Sequence, residues 1–575
     1  MSPLDWAILV VVLASFVGYG VWKSQGKRGL DDFLIAGRAM PWPMVALSVM
    51  ATQASAITFL STPGQGFADG LRFVQFYFGL PLAMIVLCVT AIPIFHRLRV
   101  FTAYQYLEDR FDGKTRSLAA GLFLVQRGLA VGLTIYAPSL ILSVILDWDV
   151  GYTCMLLGAL AVAYTAWGGS RAVSHTHAVQ FTIILATMAV AAIVLWNALP
   201  AGVTPGDAVA AAGAFGRLNA LELRFDANDR YNLWSGLIGG FFLQLSYFGT
   251  DQSQVGRYLT GSSVAQSRLG LLFNGLVKVP MQLIILGVGV LLFVFYLFVT
   301  PPLFFNPAGR AAATGGAHAV EWRMLEERHE SVAAERRESL IELIEARRAG
   351  DPERQSVARQ ALREDQAVLD ETRQEATALI SRSEPGAPTN DTNYVFLSFV
   401  LAHLPSGLIG LVFAAIFAAS MNSTAAELNA LTSTTVVDVV QRVRPAMRSE
   451  GQRSLRMSRF ITLGWAMFAV LFAQYASRLG SLIEAVNILG SLFYGTILGI
   501  FLTAFYARRV GGSAVFAGAL VAQAVVVACF AFTKISFLWY NLIACLLVVG
   551  IGLALSFAWP GGRTRPRPAV EAARA

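Results

Sequence analysis

The sequence predicts an all-α polytopic membrane protein with about thirteen transmembrane helices, and three observations carry that reading. Of 575 residues, 55% are hydrophobic and only 14% are charged, with a mean hydropathy of +0.58. A soluble chain carries about 25% charged residues. The apolar residues lie in long runs, and a bilayer core about 30 Å thick takes roughly 20 of them per helix. Lys and Arg gather in alternate loops, the positive-inside pattern.

The first apolar run, Trp6–Trp22, has only Asp5 as a charge before it and no small-residue cleavage site, so it reads as a retained helix. The predicted spans are roughly 4–22, 42–62, 72–96, 117–146, 151–167, 172–199, 231–251, 268–299, 394–421, 457–477, 480–506, 512–532 and 536–559. Basic residues cluster in loop 23–41 (Lys23, Lys27, Arg28, Arg38), in loop 97–116, in loop 441–456 and in the tail after 560. All of these share one side if the N-terminus is outside and the C-terminus cytoplasmic, which predicts a multi-pass protein of the inner (plasma) membrane. The four cysteines (Cys88, Cys154, Cys529, Cys545) are scattered through the spans and form neither a metal-ligand spacing nor a disulfide framework. The net charge of +8 is spent on loops, so nucleic acid is not an expected partner.

Four segments follow: 1–302 with eight spans, a charged insert at 303–392, 393–560 with the remaining spans, and a basic tail at 561–575. The insert predicts an extracytoplasmic helical hairpin. Trp322, Leu325, Val332, Leu340, Leu343 and Ile344 make one apolar stripe, Ala349-Gly350-Asp351-Pro352 breaks the helix, and Val357, Ala361, Leu362, Val368 and Leu369 make the second stripe. Such a hairpin is either a lid or docking element, or a solvated insertion with no role in transport.

Two spans are interrupted. Span 2 carries Thr52-Gln53-Ala54-Ser55 in its middle, and span 7 runs through Ser246-Tyr247-Phe248-Gly249-Thr250-Asp251-Gln252. Backbone breaks inside a bilayer are tolerated only where the freed groups face protein, ions or water. The breaks are five spans apart, which divides spans 2–11 into two halves and points to a binding site between the broken helices. Span 9 adds a cluster of side-chain oxygens, Ser420, Asn422, Ser423 and Thr424, after a small-residue run. Na⁺ is a hard cation that takes oxygen ligands. The same hydroxyls also serve to join helices by hydrogen bonds.

Five segments in order resemble the sodium:solute symporter family. They are Ala36-Gly37-Arg38, the box from Thr102 to Phe111 with Gln105 at a usual Glu, Tyr164–Val173 around Gly168-Gly169, Thr250-Asp251-Gln252 with Val255-Gly256-Arg257, and Ala418-Ala419-Ser420-Met421-Asn422-Ser423. The resemblance implies the LeuT-type fold, a 5+5 inverted repeat, and a transporter rather than an enzyme. It implies one Na⁺ held by the carbonyls of Ala51, Ala54 and Ala419 and the side chains of Asn422 and Ser423, with Asn422 at a usual Ser. The positions of a second ion site carry His177, Ala425 and Ala426, which implies a single coupled Na⁺. It also implies a small organic solute (sugar or polyol, carboxylate or amino acid), no organic cofactor and a monomer in the lipid bilayer.

The solute-binding candidates are Gln53, Ser55, Thr58, Gln75, Tyr77, Arg127, Gln244, Tyr247 and Asn487; the gating candidates are His177, Asp251 and Glu427. Arg127 suits a carboxylate by bidentate pairing, or a structural pair with Glu427. Lys278 reads as a snorkelling side chain near a span end. His177 is either a hydrogen-bonded polar residue or a proton-linked gate. A solute sensor of the same fold, signalling through a separate partner, is the competing function.

Overall fold

The computed structural model describes residues 1–24, 38–98, 100–315, 318–384, 389–444 and 451–558. Among these, the regular structure is helical, with one isolated bridge, Met40 to Gly261. Among the described residues, nine helical stretches are long and apolar enough to cross a membrane, and Pro3–Phe16 and Val150–Val162 are shorter apolar runs. The protein is a multi-pass membrane protein.

In chain order the helices are α1 (Pro3–Ser24), α2 (Trp42–Gln53), α3 (Ala56–Asp69), α4 (Leu80–Val89), α5 (Ala91–Leu98), α6 (Ala103–Arg110), α7 (Gly113–Leu146), α8 (Val150–Asn197), α9 (Pro205–Ala214), α10 (Gly240–Thr250), α11 (Gln252–Tyr258), α12 (Val264–Phe298), α13 (Pro307–Thr314), α14 (Ala319–Ala349), α15 (Pro352–Ser383), α16 (Val395–His403), α17 (Leu408–Thr434), α18 (Gly451–Ala473), α19 (Leu482–Tyr506), α20 (Gly512–Phe532) and α21 (Phe537–Ala558). The 48 residues of α8 would reach about 72 Å if straight, more than twice the bilayer core. Leu157 and Ala161 from its first part, and Gln180 from its second, all meet α17 between Phe417 and Thr424. The two expected spans, 151–167 and 172–199, fall within this one helical stretch, in which Val179–Asn197 is long and apolar enough to cross a membrane.

Both expected breaks are present. Span 2 divides into α2 and α3 at Ala54 and Ser55, whose ψ angles of 64° and 171° leave the helical range. Span 7 divides into α10 and α11 at Asp251, with ψ 118°. Helix α3 lies so close to α12 that a Cβ at Gly66 would overlap the Leu286 carbonyl, and one at Gly289 the Pro63 carbonyl.

Span 9 needs correction. The expected 394–421 runs across Leu404-Pro405-Ser406-Gly407, where Gly407 takes φ +91°. Val395–His403 is a separate short helix, and the spanning helix starts at Leu408. The buried Asp5 carboxylate closes the join by accepting from the backbone of Gly407 (2.6 Å) and Gly410 (3.0 Å). Span 3 also starts late: Gly70–Tyr77 is a 3₁₀ turn, and Thr90 separates α4 from α5.

The insert folds as the antiparallel pair α14 and α15, turned at Gly350 (φ +69°) and capped by Asp351. Trp322, Leu325, Ala376, Leu379 and Ile380 pack with Leu303 and Phe304, while Leu340, Leu343 and Leu362 join the core of the transmembrane helices. Val357 is 65% exposed, and Ala358 takes the inward position expected for it. At one end of the bundle the hairpin is bound by Arg347 and Arg348 to Asp207 (2.9 and 2.6 Å). Burial pushes that carboxyl up, but the Arg348 guanidinium and the Thr204 hydroxyl outweigh it and hold it well below the usual carboxylate range.

Candidate functional site

The motifs at the opposite end of the bundle lock onto one another. The Thr102 and Gln105 side chains form a capping box at the start of α6, so the amide of Gln105 does what a Glu would do there. Gln252 donates to the Phe101 carbonyl (2.8 Å) and accepts from the Ala103 amide (3.1 Å). Tyr104 donates to the Thr250 carbonyl (2.7 Å), the last residue before the break at Asp251. Arg116 binds Asp438 and Glu108 (both 2.6 Å) beneath this layer.

Between this layer and the hairpin lies a cavity of ≈ 100 Å³. Of the solute candidates, Gln53, Ser55, Thr58, Tyr77, Arg127, Gln244, Tyr247 and Asn487 line it. Gln75 does not. It is fully buried and holds the loop before α10, donating to the Tyr231 carbonyl (2.9 Å) and accepting from the Glu222 amide (3.0 Å). Of the gating candidates, Glu427 lines the cavity and Asp251 stands behind it. His177 lies outside the residues whose side chains are described.

Arg127 is not free to face a solute alone. It donates to Asp251, to Glu427 (2.9 Å) and to Tyr494 (2.6 Å), and its guanidinium lies 5.6 Å from the Tyr247 ring centre. Asp251 also accepts from Tyr494 (2.7 Å) and from the Ser253 hydroxyl and amide. Four elements, α7, α17, α19 and the α10–α11 break, are thus pinned by one buried ion cluster. On the hairpin side, Ser61 meets Ser481 (3.4 Å) and Ile483 (3.3 Å), and Asn393 bridges to Gly480 (3.2 Å). The cavity lies between these two sets of contacts.

The sequence reading misplaced Lys278. It is 2% exposed, in the interior of α12, and lines the cavity with its ammonium 5.7 Å from the Tyr77 ring centre. No carboxylate pairs with it among the described residues. The usable signal was a lone Lys well inside an apolar run, where a charge faces the bundle interior and a function. Gln126, Thr134 and Tyr494 also line the cavity and were not anticipated.

At the α2 break, the Thr52 carbonyl faces α17. The Ser423 hydroxyl lies 3.3 Å from the Thr52 carbonyl and 3.1 Å from the Ala419 carbonyl. Asn422 donates its amide to Gln180, leaving a buried Oδ1 with no hydrogen-bond partner. An orphaned amide oxygen and a hydroxyl on adjacent residues of α17, the hydroxyl against the Thr52 carbonyl, form a donor set that fits a hard cation. Ala425 and Ala426, both fully buried, add no side-chain oxygen.

Two helices broken around a buried polar cavity, one of them against a helix bearing oxygen ligands, define a secondary-transporter fold. The sodium:solute symporter family model matches residues 33–320 and 376–522, and the chain belongs to that family. It is 30% identical over 309 residues to the human sodium/iodide cotransporter (52% of this chain, 46% of that one). It is 32% identical over 269 residues to human sodium-coupled monocarboxylate transporter 1 (47% and 44%). The chain thus spans about half the length of these two relatives. The sodium/sialic acid symporter NanT of Aliivibrio fischeri is 24% identical over 563 residues (96% and 92%). A solved structure of a Na⁺-coupled sialic acid symporter, substrate-bound and outward-open, superposes with a TM-score of 0.73 at 20% identity, covering 97% of this chain and 98% of that one, and so shares the fold.

Proposed function

We propose that the protein is a sodium-coupled symporter that imports a small organic monoanion, a carboxylate, by alternating access with one Na⁺ per cycle. The observation that carries the solute class is Lys278, a cation facing the cavity with no carboxylate partner among the described residues, while Arg127 is already paired with Asp251 and Glu427. A carboxylate entering the cavity gives that ammonium a direct partner. Gln53, Gln244, Asn487 and Tyr247 give it hydrogen-bonding neighbours, and Tyr77, Phe76 and Ile483 give it an apolar wall. The names of three relatives (iodide, monocarboxylate, sialic acid) fit an anion-handling site.

Sodium binds between the two helices. The carbonyls of Ala51, Ala54 and Ala419, Asn422 Oδ1 and Ser423 Oγ supply oxygens, and the Thr52 carbonyl facing Ser423 is a further donor. Ion binding orders the α2–α3 break, the solute docks on the completed site, and the Arg127 cluster opens to release both on the other side. The hairpin end is extracytoplasmic in this reading, and the basic loops are cytoplasmic. The protein works as a monomer in the plasma membrane, with no organic cofactor. Ser423→Ala removes one ligand worth about 1.5 kcal/mol, so half-saturating Na⁺ for uptake rises about tenfold. An unchanged Na⁺ activation curve in that variant contradicts the ion site.

A further inference from the structure

A second cavity, of ≈ 190 Å³, lies under the hairpin, between α14, α15 and the ends of α3 and α12. Its lining is cationic. Arg336 on α14 is 4% exposed and donates only to neutral oxygens, Gln366 Oε1 and the Tyr296 carbonyl (both 2.8 Å). Its Nε–H has no acceptor. Arg217 donates to the Ala68 carbonyl and stacks 4.6 Å from the Phe293 ring centre, and its Nε–H also has no acceptor. Arg373 is taken by Asp391 (2.8 Å). The remaining lining carboxylate, Asp370, accepts from Gln366 (2.8 Å) and acts on both Arg217 and Arg336 without pairing directly with either. His329 donates Nε2–H to the Pro301 carbonyl (3.1 Å), and burial holds it down at about 4, in the neutral form near pH 7.

Arg217 and Arg336 each keep an Nε–H without an acceptor, and Asp69, Asp365 and Asp370 act on them without a direct ion pair. Burial lowers Arg336 to about 10, against the opposing pull of Asp370 and Asp365. We propose that this cavity binds one small monovalent anion, chloride or a short carboxylate, between Arg217 and Arg336. The anion gives these donors an acceptor and ties the hairpin to the end of α3, because Arg217 already holds Ala68 there. This site is independent of the solute reading of the central cavity.

The test uses the full chain purified in detergent at constant Na⁺, with a bulky sulfonate as the background anion. Titrating chloride, and separately acetate, raises the thermal unfolding midpoint saturably by about 2 °C. The response persists in Lys278→Met, which removes the central cation. It is lost, or its half-saturation rises at least about tenfold, in Arg336→Gln and in Arg217→Gln. A response to chloride but not acetate assigns an inorganic-ion site, and a response to acetate alone a carboxylate site. Crystals soaked in bromide place its anomalous signal between Arg217 and Arg336, which keeps the assignment testable if either variant fails to fold. No saturable response in the wild type, a response lost in Lys278→Met alone, or bromide located elsewhere overturns the proposal.

Discussion

Arg127→Met is expected to cost the folded protein about 3–5 kcal/mol, because one substitution strands two buried carboxylates. Asp251 and Glu427 both give an oxygen to this guanidinium, and neither has another cation beside it among the described residues. Glu427 already carries an Oε2 without a partner, so the cluster has no spare donor to re-form around. The loss is read as a lower unfolding midpoint and a reduced yield of folded protein. Neutralising the acids in the same background, Arg127→Met with Asp251→Asn and Glu427→Gln, restores much of the stability, since replacing a whole buried ion cluster costs far less than breaking one. Uptake stays low in the triple variant, because the contacts pinning α7, α17 and α19 at the break are gone. If Arg127 were instead a solute ligand, the single variant would lose solute affinity and keep its midpoint.

Lys278→Met is expected to act in the opposite sense on stability and to remove solute recognition. The ammonium is buried in a mid-bundle cavity without a carboxylate partner, so replacing it with an apolar chain of similar length relieves a desolvated charge. The solute-free variant therefore unfolds at a temperature equal to or above the wild type. Truncating one half of a buried charge pair costs about 2–5 kcal/mol of binding, a loss of at least roughly thirtyfold in affinity for a monocarboxylate. Na⁺ binding, measured separately, remains. A variant that binds carboxylates as tightly as the wild type would remove the basis for the solute class.

How far the sequence carries this account depends on the kind of signal. Apolar runs and the paired breaks announce themselves locally, because Ala54-Ser55 and Asp251 interrupt helices wherever those helices pack. The oxygen cluster around Ser423 was legible for the same reason. Charge partnership was not. Arg127 and Glu427 are 300 residues apart and Arg127 and Asp251 are 124 apart, so only the packed bundle shows which cations are neutralised. Gln75 and Lys278 exchanged roles on that account: the polar residue in the expected position holds a loop, and the cation assigned to a span end faces the cavity. Span 9 was misjudged because Pro405 and Gly407 sit inside a continuous apolar pattern, where hydropathy registers composition and misses the change in backbone direction. In the hairpin, Arg336 and His329 look like solvated charges in a polar helix, and their burial follows from docking on α12 at Tyr296 and on Pro301 just beyond it.

The most direct test of the central claim is solute accumulation in right-side-out membrane vesicles carrying the full chain. With Na⁺ outside and choline inside, a radiolabelled monocarboxylate that the purified protein binds should overshoot its equilibrium level. Accumulation should collapse when the Na⁺ gradient is dissipated. Equal uptake with choline in place of external Na⁺, or uptake that stops at the equilibrium level under a full gradient, contradicts sodium-coupled symport.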